Sequence, residues 1–265
     1  VSILANKQVR FIKGDIRSHD TLLKIFTKNK IDAVIHFAGL KSVSESVSKP
    51  LEYYDNNLFG SVQLLRVMSE FNVKNIVFSS SATVYGEPLS LPLKESMPTG
   101  IPTNPYGMSK LMIENILDDV FRSDSSYSIV KLRYFNPVGA DFSGNIGENP
   151  KGIPNNLMPY ICQTASGQLS ELEVFGCDYN TLDGSGVRDY IHVSDLAEGH
   201  LYALKNCLNK KGNDIYNLGT GEGTSVLQLI KAFEKTNNIK VNYKTSQRRQ
   251  GDIAKSYADV SKIKE

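Results

Sequence analysis

The chain has 265 residues, 40% of them apolar and 22% charged, with a formal net charge of +2 at pH 7. That is enough chain for one large or two modest cores, and its scattered lysines form no basic stripe interleaved with aromatics, which argues against a nucleic-acid groove. No apolar run reads as a membrane span or signal peptide, and Cys162, Cys177 and Cys207 have neither metal-ligand nor redox-pair spacing, so the expectation is reduced thiols in a cytoplasm and no metal site.

In chain order, Val9–Ile12 reads as a short strand ending at Gly14-Asp15, Asp20–Asn29 as a helix, and Ile31–Phe37 as an apolar, buried-type strand that stops at Ala38-Gly39. This is the βαβ rhythm of a parallel sheet. Pro50 opens a long helix to about Phe71, followed by a strand over Asn75–Ser80, a helix over Pro105–Phe121 and a strand over Ser128–Tyr134. From about Pro137 the texture changes to Gly-, Asn- and Pro-rich loops around a helix over Asn155–Gly167, which predicts a second, smaller lobe. Gly186–Leu208 and Ile215–Gly221 are expected to return to the first sheet. Thr224–Thr236 places Val226, Leu229, Ile230 and Phe233 on one helical face, a core-packing pattern.

The chemistry-bearing pattern is Asn104-Pro105-Tyr106-Gly107-Met108-Ser109-Lys110, preceded by Ser79-Ser80-Ser81-Ala82-Thr83-Val84-Tyr85-Gly86. A helix starting at Pro105 puts Tyr106 and Lys110 on one face. A free phenol, with a pKa of about 10, is a poor base at neutral pH, and an adjacent fixed cation is expected to favour the phenolate. Ser81, at the end of the preceding strand, is placed to pass the proton. A bare Tyr-x-x-x-Lys is more often a surface pair; the serine run is what gives it weight.

These residues resemble the extended short-chain dehydrogenase/reductases, and within them the UDP-hexose 4-epimerases. The likeness runs through His36-Phe37-Ala38-Gly39-Leu40-Lys41, Pro50–Asn57, Ser79–Gly86, the Tyr106/Lys110 pair, Leu132–Pro137, Gly152–Pro159 and Gly186–Val193, nearly the whole chain. It implies an α/β, Rossmann-type doubly wound parallel sheet over residues 1–136 that binds NAD. Residues 137–265 would then be mainly a smaller UDP-sugar lobe, with about 186–221 returning to the sheet. In such an enzyme the sugar C4 is oxidised to a ketone, the ketosugar turns, and the hydride returns to its other face, so there is no net redox change. Tyr106 would take the C4 hydroxyl proton, Lys110 would depress its pKa and bind the nicotinamide ribose, and Ser81 would act as relay.

The same resemblance implies cofactor contacts at Asp15 and Ile16 (adenine), at Phe37, Ala38, Gly39 and Lys41 (pyrophosphate and ribose), and at Asn56 and Ser79, with Tyr134 and Phe135 beside the nicotinamide. On the substrate side it implies Arg188 and Arg249 for the diphosphate, where a guanidinium offers forked donors, and Asp252 for the uridine ribose. Asn136, Asn155, Asn156 and Leu157 match sugar and nucleotide contacts, Phe175 the uracil side and Tyr190 a pocket wall. Ser256 stands where members restricted to glucose and galactose carry a bulky aromatic, so acceptance of N-acetylhexosamines is expected. The helices Pro50–Phe71 and Pro105–Phe121 match those that pair across a two-fold axis, so a homodimer is expected.

The strand, glycine-rich turn and helix that open dinucleotide-binding folds are not found; Gly219-Thr220-Gly221-Glu222-Gly223 has the wrong spacing and position and reads as a loop. In the resembling family Val9–Ile12 is the third strand, so the expectation is a fragment or ordered part of a longer protein, lacking the first strands and the C-terminal end. Three other readings remain open. A 4,6-dehydratase typically carries Asp-Glu where this chain has Ser81-Ala82-Thr83. A 4-epimerase of UDP-uronates or pentoses differs only in pocket residues. A non-catalytic dinucleotide sensor would have shed the catalytic residues that this chain keeps.

Overall fold

The computed structural model describes residues 2, 5–150, 154, 156–249 and 251–265. Helix α1 (His19–Lys28) starts where the Ser18 hydroxyl accepts from the Thr21 amide, and it is followed by β1 (Val34–His36) and α2 (Val43–Ser48). The long helix expected from Pro50 is built in three pieces: α3 (Pro50–Tyr53), a π-helical stretch Tyr54–Phe59, and α4 (Gly60–Glu70). Then come β2 (Asn75–Ser81), a 3₁₀ turn Ala82–Tyr85, α5 (Pro105–Ser123), β3 (Ser128–Tyr134), β4 (Asn136–Val138) and α6 (Leu157–Ala165). The remainder is β5 (Leu172–Phe175), β6 (Val187–His192), α7 (Val193–Asn209), β7 (Gly212–Leu218), β8 (Gly223–Ser225), α8 (Val226–Asn237), β9 (Tyr243–Ser246), β10 (Lys255–Ser256) and α9 (Ser261–Lys264).

The first sheet is parallel throughout, in the order β1-β2-β3-β7. Its central strands are apolar on both faces because both are covered. On one face Ile76, Phe78 and Ile129 pack with Leu22 and Phe26 of α1, Leu64, Val67 and Met68 of α4, and Ile113 and Leu117 of α5. On the other, Val77, Val130 and Leu132 meet Leu196, Ala203 and Cys207 of α7. Period-2 alternation along β2 and β3 therefore separates an α5 side from an α7 side.

A second sheet has the order β10-β6-β4, with β8 antiparallel to β6, and β5 pairs with β9. Beside the β5–β9 pair, Ile161 of α6 and Ile230 of α8 close a separate core with Leu172, Val174 and Val241. Val226, Leu229 and Phe233 pack against it, which is the face their spacing predicts.

Two expectations are corrected. Val9–Ile12 is not a strand: among the described residues it pairs with no other strand, and Val9, Phe11 and Ile12 are exposed. An apolar run forms a strand only when a neighbour takes up its backbone groups. Of the stretches expected to return to the first sheet, β7 enters it beside β3 and α7 covers it, whereas β6 pairs with β4 in the second sheet.

Candidate active site

Helix α5 begins with Asn104, whose side chain accepts from the Gly107 amide at 2.9 Å, and with Pro105 in its first turn, where a missing N–H costs nothing. Tyr106 and Lys110 thus stand one turn apart at the end of the helix nearest the C-terminal edge of the sheet. Lys110 is buried, its Nζ donates to the Ser79 carbonyl oxygen at 2.7 Å, and it lies 4.9 Å from the centroid of the Phe78 ring. Ser81, the last residue of β2, is buried, and its Oγ accepts from the Thr83 amide and hydroxyl at 3.3 and 3.0 Å. The structure therefore brings Tyr106, Lys110 and Ser81 together.

The electrostatics differ from the sequence expectation. Burial pushes the Tyr106 phenol above its usual value, and a hydrogen bond with Ser81 is what opposes it. Lys110 is 6.0 Å from the centroid of the Tyr106 ring, its ammonium is committed to the Ser79 carbonyl, and burial lowers its own pKa to about 8. Desolvation is the largest influence on both groups.

The residues matched to cofactor contacts gather at the C-terminal ends of the parallel strands, the place where open α/β sheets bind ligands. Phe37, Ala38 and Gly39 follow β1 and are exposed, and the Phe37 ring lies 4.8 Å from that of His200. Ser79 is buried; Tyr134 donates its hydroxyl proton to His200 Nε2, because His200 Nδ1 is bonded to the Leu196 carbonyl; Phe135 is core. Ile16 packs against the α1–α4 core, and Asp15 is exposed with its carboxylate held by Arg17, which lowers its pKa to about 2. Asn56 lies half-buried in the π-helical stretch, with no hydrogen-bond partner for its side chain among the described residues.

Its neighbour Asn57 is the residue that sequence reasoning missed. Buried Asn57 accepts from the Leu40 amide at 2.7 Å and donates to the Leu40 carbonyl and to Ser109 Oγ, tying the loop after β1 to α5. Gly39 approaches it closely: a Cβ there would stand 3.2 Å from Asn57 Oδ1, so a larger residue would make that side chain give by a few tenths of an ångström. Two adjacent asparagines in an apolar helix were the available signal.

This donor set fits a nicotinamide dinucleotide. Lys110 uses one of its three N–H donors on Ser79, the Asn56 amide is unengaged among the described residues, and an exposed aromatic and backbone edge follow β1. Among the described residues no group of three or more His, Cys, Asp and Glu is placed to hold a metal ion, and no helix is long and apolar enough to cross a membrane.

On the substrate side, Asp252 lies between two guanidiniums: Arg249 Nε donates to Oδ2 at 2.9 Å, and Arg188 Nη2 is 3.6 Å from Oδ1. Arg249 covers the Phe175 ring at 5.0 Å. Burial pushes the Tyr190 phenol up to about 12, opposed by Arg188 and Arg249. Ser256 is buried and pairs with Arg188 across β10–β6, while Asn136 pairs with Tyr190 across β4–β6. Leu157 opens α6, and Asn156 before it donates to Glu148 at 2.7 Å; Lys41 approaches the same carboxylate at 3.9 Å. Glu148 thus links a residue matched to the cofactor with one matched to the substrate, and nothing in its loop sequence marked it. Asn155 lies outside the described residues. Of the Gly219–Gly223 run, Gly219–Glu222 is a loop whose Thr220 and Gly221 amides, with Ala258 N, bond the buried Asp189 carboxylate, whereas Gly223 opens β8.

The chain matches the model of the NAD dependent epimerase/dehydratase family over residues 2–219. It is 58% identical over 264 residues to a UDP-glucose 4-epimerase of Pasteurella multocida and 55% identical over 264 residues to that of Bacillus subtilis, each alignment covering 100% of this chain and 78% of the relative. The crystal structure of UDP-glucose 4-epimerase from Bifidobacterium longum in complex with NAD+ and UDP superposes with a TM-score of 0.96 at 56% identity, over 99% of this chain and 78% of that one. The UDP-Glc/GlcNAc 4-epimerase of Campylobacter jejuni has a TM-score of 0.83 at 34% identity, over 99% and 79%. This chain belongs to the NAD dependent epimerase/dehydratase family.

Proposed function

We propose that the protein is an NAD-dependent isomerase that interconverts UDP-galactose and UDP-glucose through a 4-keto sugar. The observation that carries the reading is the convergence of Tyr106, Ser81 and Lys110 at the end of β2, with Arg188, Arg249 and Asp252 clustered in the second lobe. Bound NAD supplies the acceptor, and later the donor, of the C4 hydride. Tyr106 takes the proton of the C4 hydroxyl and returns it, with Ser81 hydrogen-bonded to the same oxygen. Lys110 keeps a cationic donor at the site for the ribose of the cofactor. Arg188 and Arg249 hold the diphosphate, so that the substrate is anchored at its nucleotide end and the hexose is left free to turn.

The small, buried Ser256 beside Arg188 supports a pocket that also admits N-acetylhexosamines. Exposed Leu51, Phe59 and Met112, on α3, the π-helical stretch and α5, support a homodimer formed through these helices. Three unpaired thiols support a reducing, cytoplasmic setting. The reading is tested on the full-length protein purified without added nicotinamide: conversion of UDP-galactose to UDP-glucose with no NAD supplied is the expected result. A folded protein that fails to convert it with NAD added overturns the reading.

A further inference from the structure

Helix α5 meets the sheet through a polar row, half-buried Tyr106, buried Lys110 and Glu114 and half-buried Asp118, each four residues from the last. Ion pairs are unusual in such a place because desolvating them costs much of what their attraction returns. Glu114 is 2% exposed and Arg133 3%. Arg133 Nε and Nη2 donate to the two carboxylate oxygens at 3.0 and 2.6 Å, and Ser80 Oγ donates to Oε1 at 2.5 Å. Ser80 and Arg133 are cross-strand partners on β2 and β3, so a single carboxylate grips two adjacent strands at one level. Arg133 also lies 4.7 Å from the Tyr85 ring, and the Tyr85 hydroxyl donates to Asn217 of β7 at 2.7 Å.

We propose that Glu114, held by Arg133 and Ser80, is a positioning residue that fixes the register of α5 on β2 and so sets Tyr106 against Ser81 and Lys110 against Ser79. Apolar burial is non-directional, whereas a forked guanidinium–carboxylate pair adds a directional constraint. Ser80 lies between Ser79 and Ser81, and Glu114 is one turn beyond Lys110, so the lock acts on the two elements that carry the proton-transfer pair. The second pair, Asp118 with Lys131, lies a further turn away and is closed by Asn213 of β7. It anchors the distal part of α5.

The inference rests on the epimerase reading for its consequence in turnover, and a second readout is independent of that reading. Glu114→Gln, Ser80→Ala and Asp118→Asn are compared with wild type as holoenzymes. Two quantities are followed: kcat against KM over pH, and the titration of Tyr106 by NMR of ring-labelled tyrosine, assigned with Tyr106→Phe. Expected are a fall in kcat of roughly 10- to 100-fold for Glu114→Gln and about 3- to 10-fold for Ser80→Ala, with KM within about two-fold. In both variants the Tyr106 titration moves; Asp118→Asn melts earlier yet keeps kcat and the Tyr106 titration. A variant of Glu114 or Ser80 that is destabilised but leaves Tyr106 titrating as in wild type overturns the proposal. So does Asp118→Asn if it matches Glu114→Gln in both readouts. Should Glu114→Gln fail to fold, Ser80→Ala alone decides, because it removes one hydroxyl and leaves the ion pair. If wild type lacks epimerase turnover, the functional reading falls and the NMR comparison still judges the lock.

Discussion

The Lys110 ammonium donates to the carbonyl oxygen of Ser79 at 2.7 Å from a position that is 4% exposed. A cation buried with one neutral acceptor is a liability to folding, and its pKa of about 8 against the usual 10.5 records that. At about 1.4 kcal/mol per pH unit the difference is roughly 3 kcal/mol. Because the folded pKa is lowered, the unfolded chain binds more protons between about pH 8 and 10.5, so this penalty is full below pH 8 and fades as pH rises through that window. Lys110→Met is expected to lose turnover by at least about 100-fold and to unfold later than wild type when both are free of cofactor. The gap in stability should narrow from pH 8 to 10.5 in paired denaturant titrations. A constant gap would mean that Lys110 is not the titrating group.

The phenol of Tyr106 is raised by burial and pulled back by Ser81. A base must be deprotonated to work, so kcat of wild type is expected to climb toward alkaline pH. Ser81→Ala removes the group that lowers the phenol pKa, and the rising limb should therefore move to higher pH as well as losing height. Tyr106→Phe should lower kcat by about 10²- to 10⁴-fold, with a smaller change in KM. A Phe variant with near-wild-type turnover would remove Tyr106 from the chemistry.

Asp252 between Arg188 and Arg249 makes a different prediction, since both guanidiniums are already oriented by one carboxylate. Arg188→Lys keeps the charge and loses the fork. The expectation is a KM for the UDP-sugar raised by roughly 10-fold, with kcat changed far less, because the diphosphate is bound alike in ground and transition states. UDP alone should weaken in parallel as a competitive inhibitor, and unchanged inhibition by UDP would place the diphosphate elsewhere.

What the sequence disclosed here was local. The Tyr106–Lys110 spacing and the Ser128–Tyr134 strand depend on periodicities within a few residues, and the structure reproduces both. What it concealed depends on partners far along the chain. The π-helical stretch at Tyr54–Phe59 is tied through Asn57, whose partners are Leu40 and Ser109, so the pattern alone showed an uninterrupted helix. Glu114 looks like a solvated helix residue until Arg133 and Ser80 are folded against it. Val9–Ile12 has strand composition and no paired strand among the described residues. The upward push of burial on the Tyr106 phenol was hidden for the same reason, because burial is a property of the assembled fold.

Ser256 pairs with Arg188 at the start of β6 and is buried, so a larger side chain placed there competes for space beside Arg188, the arginine proposed to hold the diphosphate. Serine leaves volume that a phenol ring would fill. Ser256→Tyr is therefore expected to suppress turnover of UDP-N-acetylglucosamine and UDP-N-acetylgalactosamine by at least about 10-fold, since overfilling a closed space costs of the order of 1–3 kcal/mol. Turnover of UDP-galactose, which lacks the acetamido group, should stay within a few-fold. The check is kcat/KM for both pairs of sugars in wild type and variant: equal losses on both would show that the ring disturbs Arg188 rather than the sugar, and wild type inactive on the N-acetyl sugars would show that another wall closes the pocket.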